Sequence, residues 1–476
     1  MAVDALSALA LVFGVTVLVV GAIRLAQVPF ALVYEFTHRR LPVRARPEAG
    51  SIFEQAPLVS VVVPAFNEAL VIQNCVRSIA ASDYPQFEVI CVDDGSSDGT
   101  FALMEAMAAE FEVVRAVRQE NAGKGAALNR GLGLARGDVV VLVDADGIFR
   151  PDTLTEMVRG FDDPLIGAVC GDDRTVNLDR VQTRFLALVS HVGTGLMRRA
   201  LHTLHALPIV SGNTGAFRRE VLDLAGPLRE DTVGEDLELT WRIYREGYRV
   251  AFRPAALVYA ESPSTIGGLF RQRVRWARGL LQTVAIHADM VGNPRYGPFG
   301  VYLAINYASQ VVVPIVQVLA LIVLLVGALT GSGGPVPTSL WGLIVFVGLP
   351  VSVALLLLAV ALDRAPGDLR FVWTLPLWPF YSTLMTLVML RAIWLELRKA
   401  ENRWNKLQRT GTVSVQTGVL TTPIRPQLGQ NREPELTTRT EPLPADRPVP
   451  EPVTHPPEPP SGGDPPPGTS LPGRSP

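Results

Sequence analysis

Asp144-Ala145-Asp146 sets two carboxylates two residues apart directly after an apolar run. In extended backbone such residues point the same way, so both can approach one hard divalent cation, which takes oxygen ligands and shares phosphates and water. The alternative is a solvated acidic turn. Asp93-Asp94-Gly95-Ser96-Ser97-Asp98-Gly99-Thr100 carries a second acidic pair. One or both of Asp93 and Asp94 suit hydrogen bonds from a nucleoside, though Asp and Ser equally suit a plain strand–turn–helix junction. Pro64-Ala65-Phe66-Asn67-Glu68 closes an earlier apolar run. Phe66 and Glu68 are assigned to the nucleotide side, Phe66 by stacking on a base, with an ordinary core aromatic as its alternative. Lys124, in Asn121-Ala122-Gly123-Lys124-Gly125, either meets phosphate or sits in a surface loop. The segment lacks G-x-x-x-x-G-K-[ST] and is not a P-loop.

Two further clusters suit the other half of a transfer reaction. Glu235-Asp236 follows Thr232-Val233-Gly234 and opens an amphipathic stretch. Asp236 is the candidate general base, with Glu235 beside it, because an acceptor hydroxyl is a weak nucleophile until a positioned carboxylate takes its proton. An acidic first turn complementing a helix dipole is the plainer account. Gln272-Arg273-Val274-Arg275-Trp276 lies in a basic segment. Arg275 suits stabilisation of a departing diphosphate and Trp276 suits stacking on a sugar. A juxtamembrane basic helix on anionic lipid headgroups would look the same.

These residues need a scaffold that gathers them. Residues 59–63, 87–92 and 139–143 are short apolar runs, each ended by Pro or Asp, with helical patterns at 100–111 and 126–135. Continuous apolar strands separated by helices predict an α/β domain with a mostly parallel sheet covered on both faces. Ligands in such sheets bind at the carboxyl ends of the strands, where the acidic clusters fall. Of the 476 residues, 48% are hydrophobic and 18% charged, so part of the chain need not face water. A net charge of -2 argues against nucleic acid as a partner. The three cysteines form no C-x-x-C pair and support neither a zinc site nor a disulfide framework.

Residues 5–23 are uncharged and suit one membrane crossing, and the arginines that follow place the next segment in the cytoplasm. Residues 311–329, 341–362 and 371–395 suit three more crossings, the last bent by Pro376 and Pro379, after an interfacial segment at 296–310. The expected divisions are therefore an N-terminal span with its basic flank (1–50), a catalytic domain (51–262), interfacial helices (263–310), C-terminal spans (311–397), a basic juxtamembrane segment (398–420) and a disordered Pro-rich tail (421–476). One span before and three after put the C-terminus outside, against the cytoplasmic preference of Arg398, Lys399, Arg403, Lys406 and Arg409.

The acidic pair, the D-x-D, the E-D and the Q-x-x-R-W, in that order, resemble glycosyltransferase family 2, the inverting GT-A enzymes. The likeness is to the membrane-bound branch of poly-N-acetylglucosamine, chitin-oligosaccharide, hyaluronan and cellulose synthases. It covers about residues 58–282. The resemblance implies that Asp93 and Asp94 contact the nucleoside and that Asp144 and Asp146 serve a metal-bound diphosphate. It makes Asp236 the base, and sets Gln272, Arg275 and Trp276 at the acceptor end. Gly212 and Asn213, within Ser211–Arg219, resemble an acceptor-lining stretch. It further implies a UDP-sugar donor, foremost UDP-N-acetylglucosamine, with Mg or Mn, a polysaccharide acceptor, a multi-pass place in the plasma membrane with a cytoplasmic catalytic domain, and room for an accessory export subunit. Single addition to a lipid-linked acceptor is the alternative. Phe66 stands where tyrosine is frequent, and one N-terminal span stands where the poly-N-acetylglucosamine type usually has two.

Overall fold

The computed structural model of the protein describes residues 21–37, 56–330 and 349–401. Most of the expected first span, residues 341–348 of the third, and the tail from 421 lie outside them. A helix over residues 21–37 (α1) is followed by β1 (Val59–Ala65), α2 (Ile72–Ala80), β2 (Phe87–Asp93), α3 (Thr100–Glu110), β3 (Val114–Arg118), α4 (Lys124–Leu134) and β4 (Val139–Leu142). β1 is buried at every position, as a strand covered on both faces must be. One cover is α2, whose Ile72, Cys75, Val76 and Ile79 fall on the buried stripe of an amphipathic helix. Strands β5 (Ile148–Phe149), β6 (Ile166–Thr175), β7 (Gly215–Arg218) and β8 (Arg249–Ala260) complete a sheet in the order β3-β2-β1-β4-β7-β6-β8-β5. The α/β expectation with a mostly parallel sheet holds.

Among the described strands, only the pairings of β7 with β4 and β6, and of β5 with β8, are antiparallel. That inversion matters for the site. β1, β2 and β4 end at one rim because they are parallel neighbours. β7 runs the other way, so its preceding segment, Ser211 to Thr214, arrives at that same rim. The helices α5 (Thr153–Val158), α6 (Val181–Ser190), α7 (Met197–Thr203), α8 (Arg219–Ala225), α9 (Glu235–Arg245) and α10 (Ile266–Ile286) complete the domain.

The apolar C-terminal part departs from expectation at one point and agrees with it at another. α11 (Gly297–Tyr307) passes through a π-helical stretch, Ala308–Val312, into α12 (Val313–Thr330), so the segment expected to be interfacial is continuous with the span. The stretch long and apolar enough to cross a membrane begins at Pro294 and ends at Val316. After α13 (Leu349–Leu362), a 3-10 segment, Pro366–Leu377, precedes α14 (Trp378–Leu397), which places the break beside the two prolines. Pro366–Leu397 also has the length and composition of a crossing segment.

Candidate active site

At the rim of β1, β2 and β4 the first acidic pair proves to be a loop organiser. Both carboxylates are fully buried. Asp93 accepts from Ser96 N at 3.2 Å and pairs with Arg118 Nε at 3.1 Å. Asp94 Oδ1 accepts from Gln119 Nε2 at 2.8 Å and Ala122 N at 2.9 Å, while Oδ2 accepts from Gly123 N at 2.9 Å. Charge-assisted bonds of this kind are the strong ones. They fix residues 119–123, and so fix where α4 starts. Gly95, at φ +77°, lies so close that a Cβ there would come within 2.9 Å of Asn121 N. Phe66 and Asn67 stand half-buried at the end of β1, and Glu68 is buried beside them, its N–H bonded to Thr100 Oγ1 at 2.8 Å.

Lys124, the first residue of α4, is carried by that loop into the middle of the rim. Its Nζ lies 2.9 Å from Asp144 Oδ1 and 2.9 Å from Glu235 Oε1, which joins two motifs far apart in sequence. Burial opposes its charge, but Asp144, then Glu235 and Asp236, outweigh burial and hold the ammonium above the usual lysine range. Asp146 is buried and accepts from Glu261 N at 3.3 Å at the end of β8. Asp144 is the more open of the two, its side chain 36% exposed.

Glu235 and Asp236 begin α9 and point their carboxylates into different surroundings. Burial works against the charge on Glu235, yet Lys124 and then Arg275 outweigh it and hold the group below the ordinary glutamate range. Asp236 is shifted the other way, by burial first and by the Glu235 charge second, with Lys124 only partly offsetting them. Its Oδ1 accepts from Leu237 N at 2.8 Å, the helix-start role that the sequence also allowed. Its Oδ2 accepts from Gly212 N at 3.1 Å. A Cβ on Gly212 would come within 3.2 Å of Lys124 Nζ and 3.3 Å of Asp236 Oδ2, so the segment before β7 lies directly on this cluster. Asn213 is buried over Gly147, and its Oδ1 has no hydrogen-bond partner among the described residues.

The structure therefore gathers Lys124, Asp144, Gly212, Glu235 and Asp236 directly, with the charge of Arg275 acting on them from α10. Trp276 is 47% exposed and carries the Arg273 guanidinium 4.1 Å from its ring centroid. Gln272 is half-buried on the same helix. Sequence reading missed Gln119, which clamps Asp94, and Arg198 and Asp173, paired at 3.3 Å beside the segment before β7. It also missed Gln282 and Glu396, which with Arg278 of the basic segment brace the loop before Glu235. Gln282 follows a run of arginines on α10 and Glu396 stands at the end of an apolar helix, and neither pattern points to the other.

Residues 56–279 match the sequence family described as glycosyltransferase like family 2. A poly-beta-1,6-N-acetyl-D-glucosamine synthase of Staphylococcus aureus (strain COL) is 32% identical over 227 residues, 46% of this chain and 54% of the relative. A synthase of the same description from Staphylococcus epidermidis is 30% identical over 252 residues, 52% of this chain and 60% of its own length. The chain thus matches little more than half the length of these curated relatives. Among solved structures, a mannosyltransferase from Pyrobaculum calidifontis, in complex with GDP-Man and Mn2+, aligns with a TM-score of 0.55 at 25% identity, over 83% of this chain and 100% of the other. The fold is GT-A-like.

Proposed function

With residues 56–279 belonging to glycosyltransferase family 2, we propose that this glycosyltransferase moves N-acetylglucosamine from its UDP conjugate to the end of a growing β-linked polysaccharide, inverting the anomeric carbon. The reading rests on the Asp236 carboxylate, held at the rim by the Gly212 N–H with its affinity for a proton raised, beside a Glu235 kept ionised by Lys124. Asp236 takes the acceptor hydroxyl's proton while the acceptor oxygen bonds to the anomeric carbon and the bond from that carbon to the diphosphate oxygen breaks. Arg275 suits the charge of the departing diphosphate, and Trp276 offers a ring face to the acceptor sugar. Phe66, Glu68 and the loop organised by Asp93 and Asp94 form the nucleoside end, with Gly212, Asn213 and Gln272 toward the acceptor.

Asp144 and Asp146 fit a shared divalent cation, Mg or Mn. They are two hard oxygen donors, two residues apart, and no preformed group of three or more His, Cys, Asp or Glu surrounds them among the described residues. Such a pair leaves positions for phosphate oxygens and water. When bound, the cation neutralises diphosphate charge. Lys124 already presents a positive charge to Asp144 and stays beside the leaving group.

The test is product sizing from the purified protein in lipid with labelled UDP-N-acetylglucosamine, UDP-glucose, UDP-glucuronate and GDP-mannose. Long polymer from the first donor is the expected result. GDP-mannose consumption would instead favour a mannosyl-transferring enzyme, a reading supported by the alignment with the whole of the Pyrobaculum chain. A single added sugar identifies a lipid-linked acceptor. No consumption of any donor overturns the assignment.

The packing of α14 bears on topology. It lies alongside α10 for most of its length, from Leu269 with Tyr381 and Leu384, through Val274 and Ala277 with Val388, Met389 and Ala392, to Arg278 with Glu396. α10 carries Arg271, Arg273, Arg275 and Arg278 and borders the catalytic rim. A helix companion to it cannot cross the bilayer without drawing these arginines into hydrocarbon, at a cost of several kcal/mol. We therefore read α14 as lying at the cytoplasmic surface, with crossings at residues 5–23, 311–329 and 341–362. Three crossings return the C-terminus to the cytoplasm and satisfy its basic flank. A reporter fused after Arg409 is expected to read cytoplasmic, and an external signal overturns this topology.

A further inference from the structure

The loop Thr232–Gly234, which sets where α9 and therefore Asp236 begin, is held from outside the motifs. Gln282 Oε1 accepts from Thr232 Oγ1 at 2.9 Å and from Val233 N at 3.0 Å. The same side chain donates through Nε2 to Glu396 Oε1 at 3.0 Å, near the end of α14. Arg278 closes the figure, donating from Nε to Glu396 Oε1 at 2.5 Å and from its two terminal nitrogens to the carbonyls of Ala400 at 2.7 Å and Glu401 at 3.1 Å. Between these contacts the backbones touch. A Cβ on Gly234 would fall 2.8 Å from Gly279 Cα, and one on Gly279 would fall 2.9 Å from Gly234 Cα. Interiors packed this closely transmit a displacement instead of absorbing it.

We propose that the C-terminal end of α14 is a positioning element for the transfer reaction. Through Glu396, Gln282 and Arg278 it fixes the loop before α9, and so the reach of Asp236 toward the acceptor hydroxyl. The inference rests on Asp236 as the base, and adds that its placement is set from a helix more than a hundred residues downstream. The three bracing residues act on the loop and leave the reacting groups to the cleft cluster. Their loss should therefore change the chemical step and spare donor binding, since a small misplacement of a base costs rate before affinity.

The experiment compares Gln282→Leu, Gln282→Glu and the exchanged pair Gln282→Glu with Glu396→Gln. In the exchanged pair the carboxylate at position 282 still accepts from the loop, and the amide at position 396 donates back to it, so the brace is rebuilt with one bond reversed. Gln282→Leu should lower kcat roughly tenfold or more, the size of one or two hydrogen bonds, with the donor KM within about twofold of the parent. Gln282→Glu alone sets two carboxylates together and should be at least as slow, and the exchanged pair should recover to within about threefold. An unchanged kcat in Gln282→Leu, while Asp236→Asn is inactive, overturns the brace and leaves the base assignment standing. Failure of the exchanged pair to outperform Gln282→Glu overturns it even if Gln282→Leu does not fold. Turnover retained in Asp236→Asn overturns the base assignment, and the brace with it.

Discussion

Asp236→Asn lowers sugar transfer by roughly 10²- to 10⁴-fold, the range that a positioned general base supplies, while UDP binding stays close to that of the parent. The expectation follows from what the carboxylate touches. Both of its hydrogen bonds come from backbone N–H groups, Gly212 and Leu237. The asparagine oxygen can replace one of these acceptors, so the fold should persist while the capacity to take a proton is lost. The free-enzyme pH profile is a second readout. Burial, then the neighbouring Glu235 charge, raise the proton affinity of Asp236. The base works only when deprotonated, so kcat/KM should fall as pH falls through this raised pKa. The acid limb should lie above the ~3.9 of an unperturbed aspartate. Transfer that persists undiminished in Asp236→Asn, or an acid limb at or below the ordinary aspartate value, removes Asp236 from the role.

How much of this arrangement could be read beforehand depended on whether a feature was local. β1, β2 and β4 were legible because strands buried on both faces are continuous apolar runs. β3 was not, because an edge strand reading Val-Arg-Ala-Val-Arg has no need of such a run. β6 and β8 were missed for a related reason. Each carries charged residues, Asp173 and Arg174 on one and Arg253 on the other, paired with Arg198, Asp363 and Glu156, which the fold brings in. The acidic motifs were legible as strand ends, but the uses of their oxygens were not. The bonds that Asp94 accepts from Gln119, Ala122 and Gly123 were not foreseen beside its expected nucleoside contact, because backbone N–H donors leave no trace in a sequence. Lys124 was read as a phosphate contact or a surface residue, and its bridge between Asp144 and Glu235 is a product of sheet topology. The support of Glu396 for the loop before Asp236 spans more than a hundred residues, beyond any periodicity or motif.

Lys124→Met should be nearly as damaging as loss of the base, by a different route. The ammonium bridges Asp144 and Glu235 with its side chain 13% exposed, and Glu235 is buried more deeply still at 7%. Removing it leaves two carboxylates facing each other without their common partner. An uncompensated buried charge is a heavier loss than the bridge was a gain, so proton affinity should rise at Glu235. Asp236 should follow it upward, because Lys124 is one of the charges holding it down. The acid limb of kcat/KM should therefore move to higher pH than in the parent. Transfer should fall by about two orders of magnitude, as expected for two charge-assisted hydrogen bonds worth ~1.5 kcal/mol each. Lys124→Arg keeps the charge but has a wider, planar head, and Gly212 leaves little room above it. It should restore the position of the acid limb more fully than it restores the rate. This split separates the electrostatic role of the residue from its fit. If Lys124→Met leaves the limb where it was, Lys124 and Asp236 do not share one electrostatic site in the working enzyme.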